Sequence, residues 1–336
     1  MLMVWEIDTL EPDLSISLEK FHTDEDANCI GGIVFNATKI LSESFNLDIS
    51  KLKKIVISYD FGTALQQVKS GYNHESPSSF TNSRQSTAIG QLVSKIGSNG
   101  LCDEYTLVLS VNFFVELFNE KGEINVKDEG VRAVIHRLHH ELVHIHEKNT
   151  LICLDQSFRV NDYGDALLTS ATRAWSEYFA NYMSSRSAPK EIVDDFLDNL
   201  EIVINEVQNE IDNFVWDYKN HIIELDTMFY EVKKRINLII NSYGYAIGYV
   251  HALDINLEIY HPKLSVTLSG SKLKESLISL SKAFEDLMEK YNDNKIKNHN
   301  DFCYITEAID TIYKKFGLIL ECTDWSTESE LYIHVS

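Results

Sequence analysis

Between residues 131 and 149 the chain runs for nineteen positions without a proline or a glycine, and that span carries five histidines. Val131, Val134, Ile135, Leu138, Leu142 and Ile145 recur there at three- and four-residue steps, the apolar stripe that a helix buries. Inside it stands His140-Glu141-Leu142-Val143-His144. On a helix, residues four apart lie one above the other on a single face. Two imidazoles at that spacing can grip one zinc ion, and the glutamate beside the first can reach a water on it. The competing reading is an exposed, histidine-rich helix face. Register argues against it: only His140 is followed by Glu with a second His three residues further on, whereas His146-Glu147 leads to Thr150. The stretch therefore predicts a helix over 131–149 that presents His140 and His144 to a metal, with Glu141 as general base.

Catalytic zinc ordinarily takes three protein ligands and keeps one open position. A second helical pattern without a breaker follows at 170–186, in which Ala171, Ala174, Trp175, Tyr178 and Tyr182 can pack and Glu177 sits among them. A carboxylate on the packed side of a helix is costly unless paired or bound to a cation. Glu177 follows His144 by 33 residues, room for a turn, a loop and a returning helix. Asn181, four residues after Glu177, is spaced to orient a ligand histidine by a hydrogen bond. Arg173, four residues before Glu177, offers an ordinary surface ion pair instead.

His140-Glu141-x-x-His144, followed by a helix carrying Trp175-x-Glu177-Tyr-Phe-Ala-Asn181, resembles the gluzincin branch of zinc metallopeptidases. Its flavour is that of the small intracellular bacterial and phage-related members, including the ImmA/IrrE-type peptidases. The resemblance covers roughly residues 105–186. It implies that His140, His144 and Glu177 hold Zn²⁺, that Glu141 is the general base, and that Asn181 supports a ligand from behind. Asn181 stands where gluzincins commonly carry aspartate. The fold expected is α+β and predominantly helical. It has a zincin-like core over 1–188, built of a short sheet, an active-site helix near 131–149 and a glutamate helix near 171–185. A mostly helical domain over 189–336 completes it.

Composition narrows the classes. A net charge of −21 argues against a nucleic-acid surface, which needs clustered Lys and Arg. No window reaches the apolar length of a membrane span, and the start lacks the basic-then-apolar order of a signal peptide. Cys29, Cys102, Cys153, Cys303 and Cys322 are odd in number and never form C-x-x-C, which fits reduced thiols and a cytoplasmic location.

Along the chain, residues 3–10 and 14–19 read as short strands, 27–45 as a helix and 54–60 as a β-branched strand. Asp60-Phe61-Gly62 reads as a turn. The polar stretch 71–87 suits a loop over a site. Residues 105–112 form a second strong strand; the resemblance makes it the sheet edge along which substrate lies, while the residues alone fit an interior strand equally well. Four long helical patterns, 191–218, 227–253, 273–291 and 304–316, precede a strand at 331–335.

Gly244 and Gly248 lie four residues apart beside Tyr245, Tyr249 and His251. Glycines so spaced allow close helix contact. Tyr245 and Tyr249 are candidate donors to an oxyanion, or simply large core residues at a tight crossing. The functional expectation is an intracellular zinc metallopeptidase acting on a protein or peptide, regulated or specific for one target in stress, phage defence or repressor cleavage. The helical half would dock any regulatory partner. The rival is an inactive zinc-binding sensor, with a His136-His140-His144 stripe as its particular geometry.

Overall fold

The most strongly apolar, β-branched runs of the N-terminal part become the middle of a five-stranded sheet. The structure is a computed structural model that describes residues 3–6 (backbone only), 14–72, 89–154, 161–322 and 330–336. It contains two compact units, Met1–Ser157 with Arg186–Pro189, and Phe158–Ser185 with Lys190–Ser336.

In the first unit the elements run β1 (Met3–Glu6), β2 (Ser15–Glu19), α1 (Asp24–Ser44), β3 (Leu52–Ser58), α2 (Phe61–Gly71), β4 (Gly90–Ile96), β5 (Cys102–Ser110) and α3 (Asp128–Thr150). The strand order is β1-β2-β3-β5-β4. β2, β3 and β5 are parallel, while β1 and β4 pair antiparallel at the two ends. A parallel neighbour requires a crossover, and α1 supplies it between β2 and β3. Strands covered on both faces read as continuous apolar runs, which is why Ile55-Val56-Ile57 and Leu107-Val108-Leu109 are buried throughout. On one face Phe61, Ala64 and Leu65 of α2 pack with Val56, Val93 and Val108. On the other, α1 approaches closely at Gly31, where an added Cβ would lie 2.9 Å from Leu18 Cδ1. Glu141 of α3 lies on this side as well, close to Gly90 and Leu109.

Two expectations are corrected here. The strand at 105–112 was expected at the sheet edge, but β5 lies between β3 and β4 and Tyr105, Leu107, Val108 and Leu109 are fully buried. Its unbroken apolar run is the signature of an interior strand. The last strand on that side is β4, whose half-polar Gly-Gln-Leu-Val-Ser-Lys-Ile carries little strand signal. Asp60-Phe61-Gly62 is no mere turn. Asp60 caps α2, its side chain accepting from Thr63 N at 3.1 Å, a common N-cap arrangement. Of the expected loop over 71–87, residues 73–87 lie outside the described residues.

In the second unit α4 (Asp162–Gly164) passes through a π-helical stretch, Asp165–Thr169, into α5 (Ser170–Ser184). Then come α6 (Lys190–Lys219), α7 (Leu225–Ala252), α8 (Leu257–Tyr260), α9 (Pro262–Gly270), α10 (Lys274–Asn292) and α11 (Cys303–Lys315). The antiparallel pair β6 (Leu318–Cys322) and β7 (Leu331–Val335) follows. α6 buries Val193, Leu197, Leu200, Ile204, Val207 and Ile211, an apolar stripe at three- and four-residue steps. The helices expected at 191–218, 227–253, 273–291 and 304–316 are α6, α7, α10 and α11, and β7 is the expected last strand. The short α8 and α9 and the five-residue β6 carry too few periods to stand out in the sequence.

α5 and α7 meet at two glycines. A Cβ on Gly244 would lie 2.6 Å from the Ala174 carbonyl oxygen, and one on Gly248 would lie 2.6 Å from that of Tyr178. The chain is thus mostly helical with a small mixed sheet. Among the described residues, no helix is long and apolar enough to cross a membrane.

Candidate metal centre

α3 owes its stability to its sequence as well as to its packing. Asp128 and Glu129 lie in its first turn, where carboxylates favour the helix dipole. Arg137 donates to the Phe113 carbonyl at 2.6 Å and pairs with Glu116, holding the helix to the segment that precedes it. Of the apolar stripe read from the sequence, Val134, Leu138, Leu142 and Ile145 are fully buried, while Val131 and Ile135 are half-buried.

The helix sorts its histidines by face. His136, His139 and His146 are buried, and each has a structural partner. His136 Nδ1 and His139 Nδ1 both meet the Ser187 hydroxyl, at 3.0 and 2.8 Å. His139 also packs against the Phe45 ring, with centroids 4.1 Å apart. His146 Nδ1 accepts from Asp48 N at 2.9 Å, and Asn149 Nδ2 donates to Asp48 O at 3.1 Å. These contacts pin the last turns of α3.

His140 and His144 are half-buried and turn toward each other, with Nε2 atoms 3.0 Å apart and rings nearly perpendicular at 87°. Tetrahedral zinc with Zn–N near 2.0–2.1 Å holds two nitrogens about 3.3 Å apart, so the pair suits that ion. Among the described residues, His140, His144 and Glu177 form a group that could hold a metal ion, their ligand atoms all lying within 4.8 Å of one another. His136 does not belong to this group, so the His136-His140-His144 stripe is not what the structure assembles.

Glu141 is half-buried beside β4, its Oε1 3.3 Å from where a Cβ on Gly90 would stand. Any side chain there would press on the carboxylate, and glycine leaves it room. Glu147 was passed over in the sequence because its register fails the motif. It is buried, with Oε2 3.9 Å from His144 Nδ1. The signal available was its place one turn after His144.

The other expected residues lie on α5 and α7. Asn181 is fully buried and its Nδ2 donates to the Tyr245 carbonyl at 2.9 Å, tying the two helices together. The Tyr245 ring stacks on Phe196, with centroids 5.2 Å apart, and Tyr249 lies 5.6 Å from the same ring. Tyr249 is fully buried, and burial pushes its phenol far above the ordinary range.

A second group, Asp198, Glu201 and His261, has the same ligand types. Here the geometry already explains the histidine. His261 Nδ1 accepts from Leu264 N at 3.1 Å, capping α9, so the neutral ring carries its proton on Nε2, which faces Asp198 at 2.9 Å. That nitrogen is a donor, not a metal ligand.

The buried histidines also set an acid limit. Burial, with the charge of His140 adding to it, pushes His139 down to about 4 from an ordinary value near 6.5. The unfolded chain then binds a proton that the native state refuses. The metal-free protein should lose stability as pH falls from about 6.5 to about 4, by roughly 3 kcal/mol from this group. Denaturant melts across that window check it, since His139→Asn should flatten the slope. An equal slope in the variant would remove His139 as the source.

No family model, no curated protein and no solved structure among those compared matches this chain.

Proposed function

We propose that the chain is a zinc-dependent metallopeptidase in which His140, His144 and Glu177 hold the ion and Glu141 is the general base. The observation that carries this reading is the grouping of one ring nitrogen each from His140 and His144 and one carboxylate oxygen of Glu177 within 4.8 Å, with Glu141 on the same helix turn as His140.

When bound, zinc supplies Lewis acidity that acidifies water and polarises a carbonyl. Glu141 would accept a proton from a water attacking a peptide carbonyl and return it to the departing amine. Gly90 keeps space for its carboxylate. The substrate-aligning role once expected of the strand at 105–112 passes to β4, which ends the described sheet beside Glu141. A strand at a sheet edge can take an extended peptide by main-chain pairing.

The test is metal analysis of the purified protein together with hydrolysis of a peptide library, before and after chelation and with zinc restored. Zinc near one equivalent and chelator-sensitive cleavage are expected. Zinc without cleavage would make the protein a sensor on a peptidase scaffold. Glu177→Ala should weaken zinc binding by more than about 100-fold, beyond the 10–100-fold typical of losing an outer partner. Unchanged affinity in a chelator competition would move the third-ligand role elsewhere.

A further inference from the structure

The last turn of α3 contains a carboxylate where two general effects oppose one. Glu147 lies within four residues of the helix end at Thr150, where the macrodipole is negative, and it is only 7% exposed. A buried carboxylate near a helix C-terminus ordinarily takes a partner. His144 provides the connection. Its Nε2 is directed at His140 Nε2, 3.0 Å away, while Nδ1 on the other side of the ring lies 3.9 Å from Glu147 Oε2. A ligand imidazole that gives one nitrogen to a metal ordinarily donates the N–H of the other to a carboxylate, carbonyl or water.

We propose that Glu147 is the positioning residue of the metal centre: it holds His144 in the Nδ1–H tautomer and so presents the Nε2 lone pair to zinc. This rests on the zinc reading above. Glu147 is not itself a ligand, because it faces the nitrogen turned away from His140 and lies outside the three-residue group. The platform under it is fixed. Leu151 N and Thr150 Oγ1 donate to its backbone carbonyl at 2.8 and 3.1 Å, and His146 and Asn149 on either side are bonded to the Asp48 residue. The i, i+3 spacing puts its side chain over the turn that carries His144.

The experiment measures zinc affinity by chelator competition for the full chain and for Glu147→Ala, Glu147→Gln and Glu177→Ala, with the His144 ring nitrogens followed by ¹⁵N NMR in the zinc-loaded state. Glu147→Ala should bind zinc 10- to 100-fold more weakly than wild type. Glu147→Gln, which keeps the volume and one acceptor oxygen, should recover part of that loss. The Nδ1–H signal of His144 should be present in wild type and weakened in the alanine variant. A role in packing alone would lower stability and leave the zinc affinity and the His144 tautomer unmoved, and that result overturns the proposal. If the alanine variant fails to fold, the near-isosteric glutamine variant decides, with wild-type affinity and tautomer again overturning it. A wild-type chain that binds no zinc fails the underlying reading and the proposal with it. Loss of affinity in Glu177→Ala with none in either Glu147 variant defeats the proposal alone.

Discussion

Glu141→Gln should retain one zinc per chain and lose peptide hydrolysis by a factor of about 10²–10⁴, the usual contribution of a positioned general base. Glutamine has the same shape as glutamate, so it fits the space Gly90 leaves beside Oε1 without disturbing the His140 and His144 rings on the same helix. It cannot accept a proton. Metal content and turnover therefore separate in this variant, whereas Glu177→Ala should lower both. The measurement is a rate on the best library peptide at saturating zinc, paired with metal analysis of the same sample. The pairing matters because a fall in rate with a fall in zinc says nothing about Glu141. Wild-type turnover with zinc bound would hand the proton to another group.

The parts of this architecture written locally were legible, and the parts written between distant segments were not. The breaker-free run around His140 and His144 dictates a helix because each apolar position repeats at helical spacing, and α3 buries that stripe. The long periodic patterns of α6, α7, α10 and α11 are equally local. Strand order is different. Nothing in residues 102–110 says which strands flank them, and a continuous apolar run such as Leu107-Val108-Leu109 signals only burial on both faces. The edge role went to that run through a resemblance, and the structure gives the edge to the polar β4. Asp60 illustrates a smaller failure: its capping bond to Thr63 is a helix-start signal that the turn reading of Asp60-Phe61-Gly62 hid. At the site, spacing alone pointed to His140, Glu141 and His144. Glu177 needed the further argument that a carboxylate among packing residues requires a partner. Glu147 needed coordinates, since its relation to His144 depends on which nitrogen the ring turns toward it.

The α5–α7 crossing should be the most sensitive packing contact of the second unit, and one methyl group should expose it. A Cβ on Gly248 would stand 2.6 Å from the Tyr178 carbonyl oxygen, 3.0 Å from Asn181 Cβ and 3.1 Å from Tyr182 N. Two of those three atoms are backbone, so no side chain can rotate away and the helices must part. Gly248→Ala should cost about 1–3 kcal/mol through overpacking. Separation of the helices should also stretch the Asn181 Nδ2 bond to Tyr245 O, adding the penalty of a buried polar group left unmade. Glu177 lies on α5 between Ala174 and Tyr178, the residues whose carbonyls the two glycines approach. The same substitution should therefore weaken zinc binding although no ligand is changed. Gly32→Ala in α1 is the control: a Cβ there meets nothing within 4 Å, and replacing a helical glycine should stabilise by about 0.5–1 kcal/mol. Denaturant melts and zinc competition on both variants give the comparison. A Gly248→Ala chain as stable as wild type, with zinc affinity intact, would mean that the crossing has slack and that α5 is held in place by other contacts. Opposite signs for one identical chemical change, at two helical glycines, would show that the close approach of α7 holds the glutamate helix in the position the proposed metal site needs.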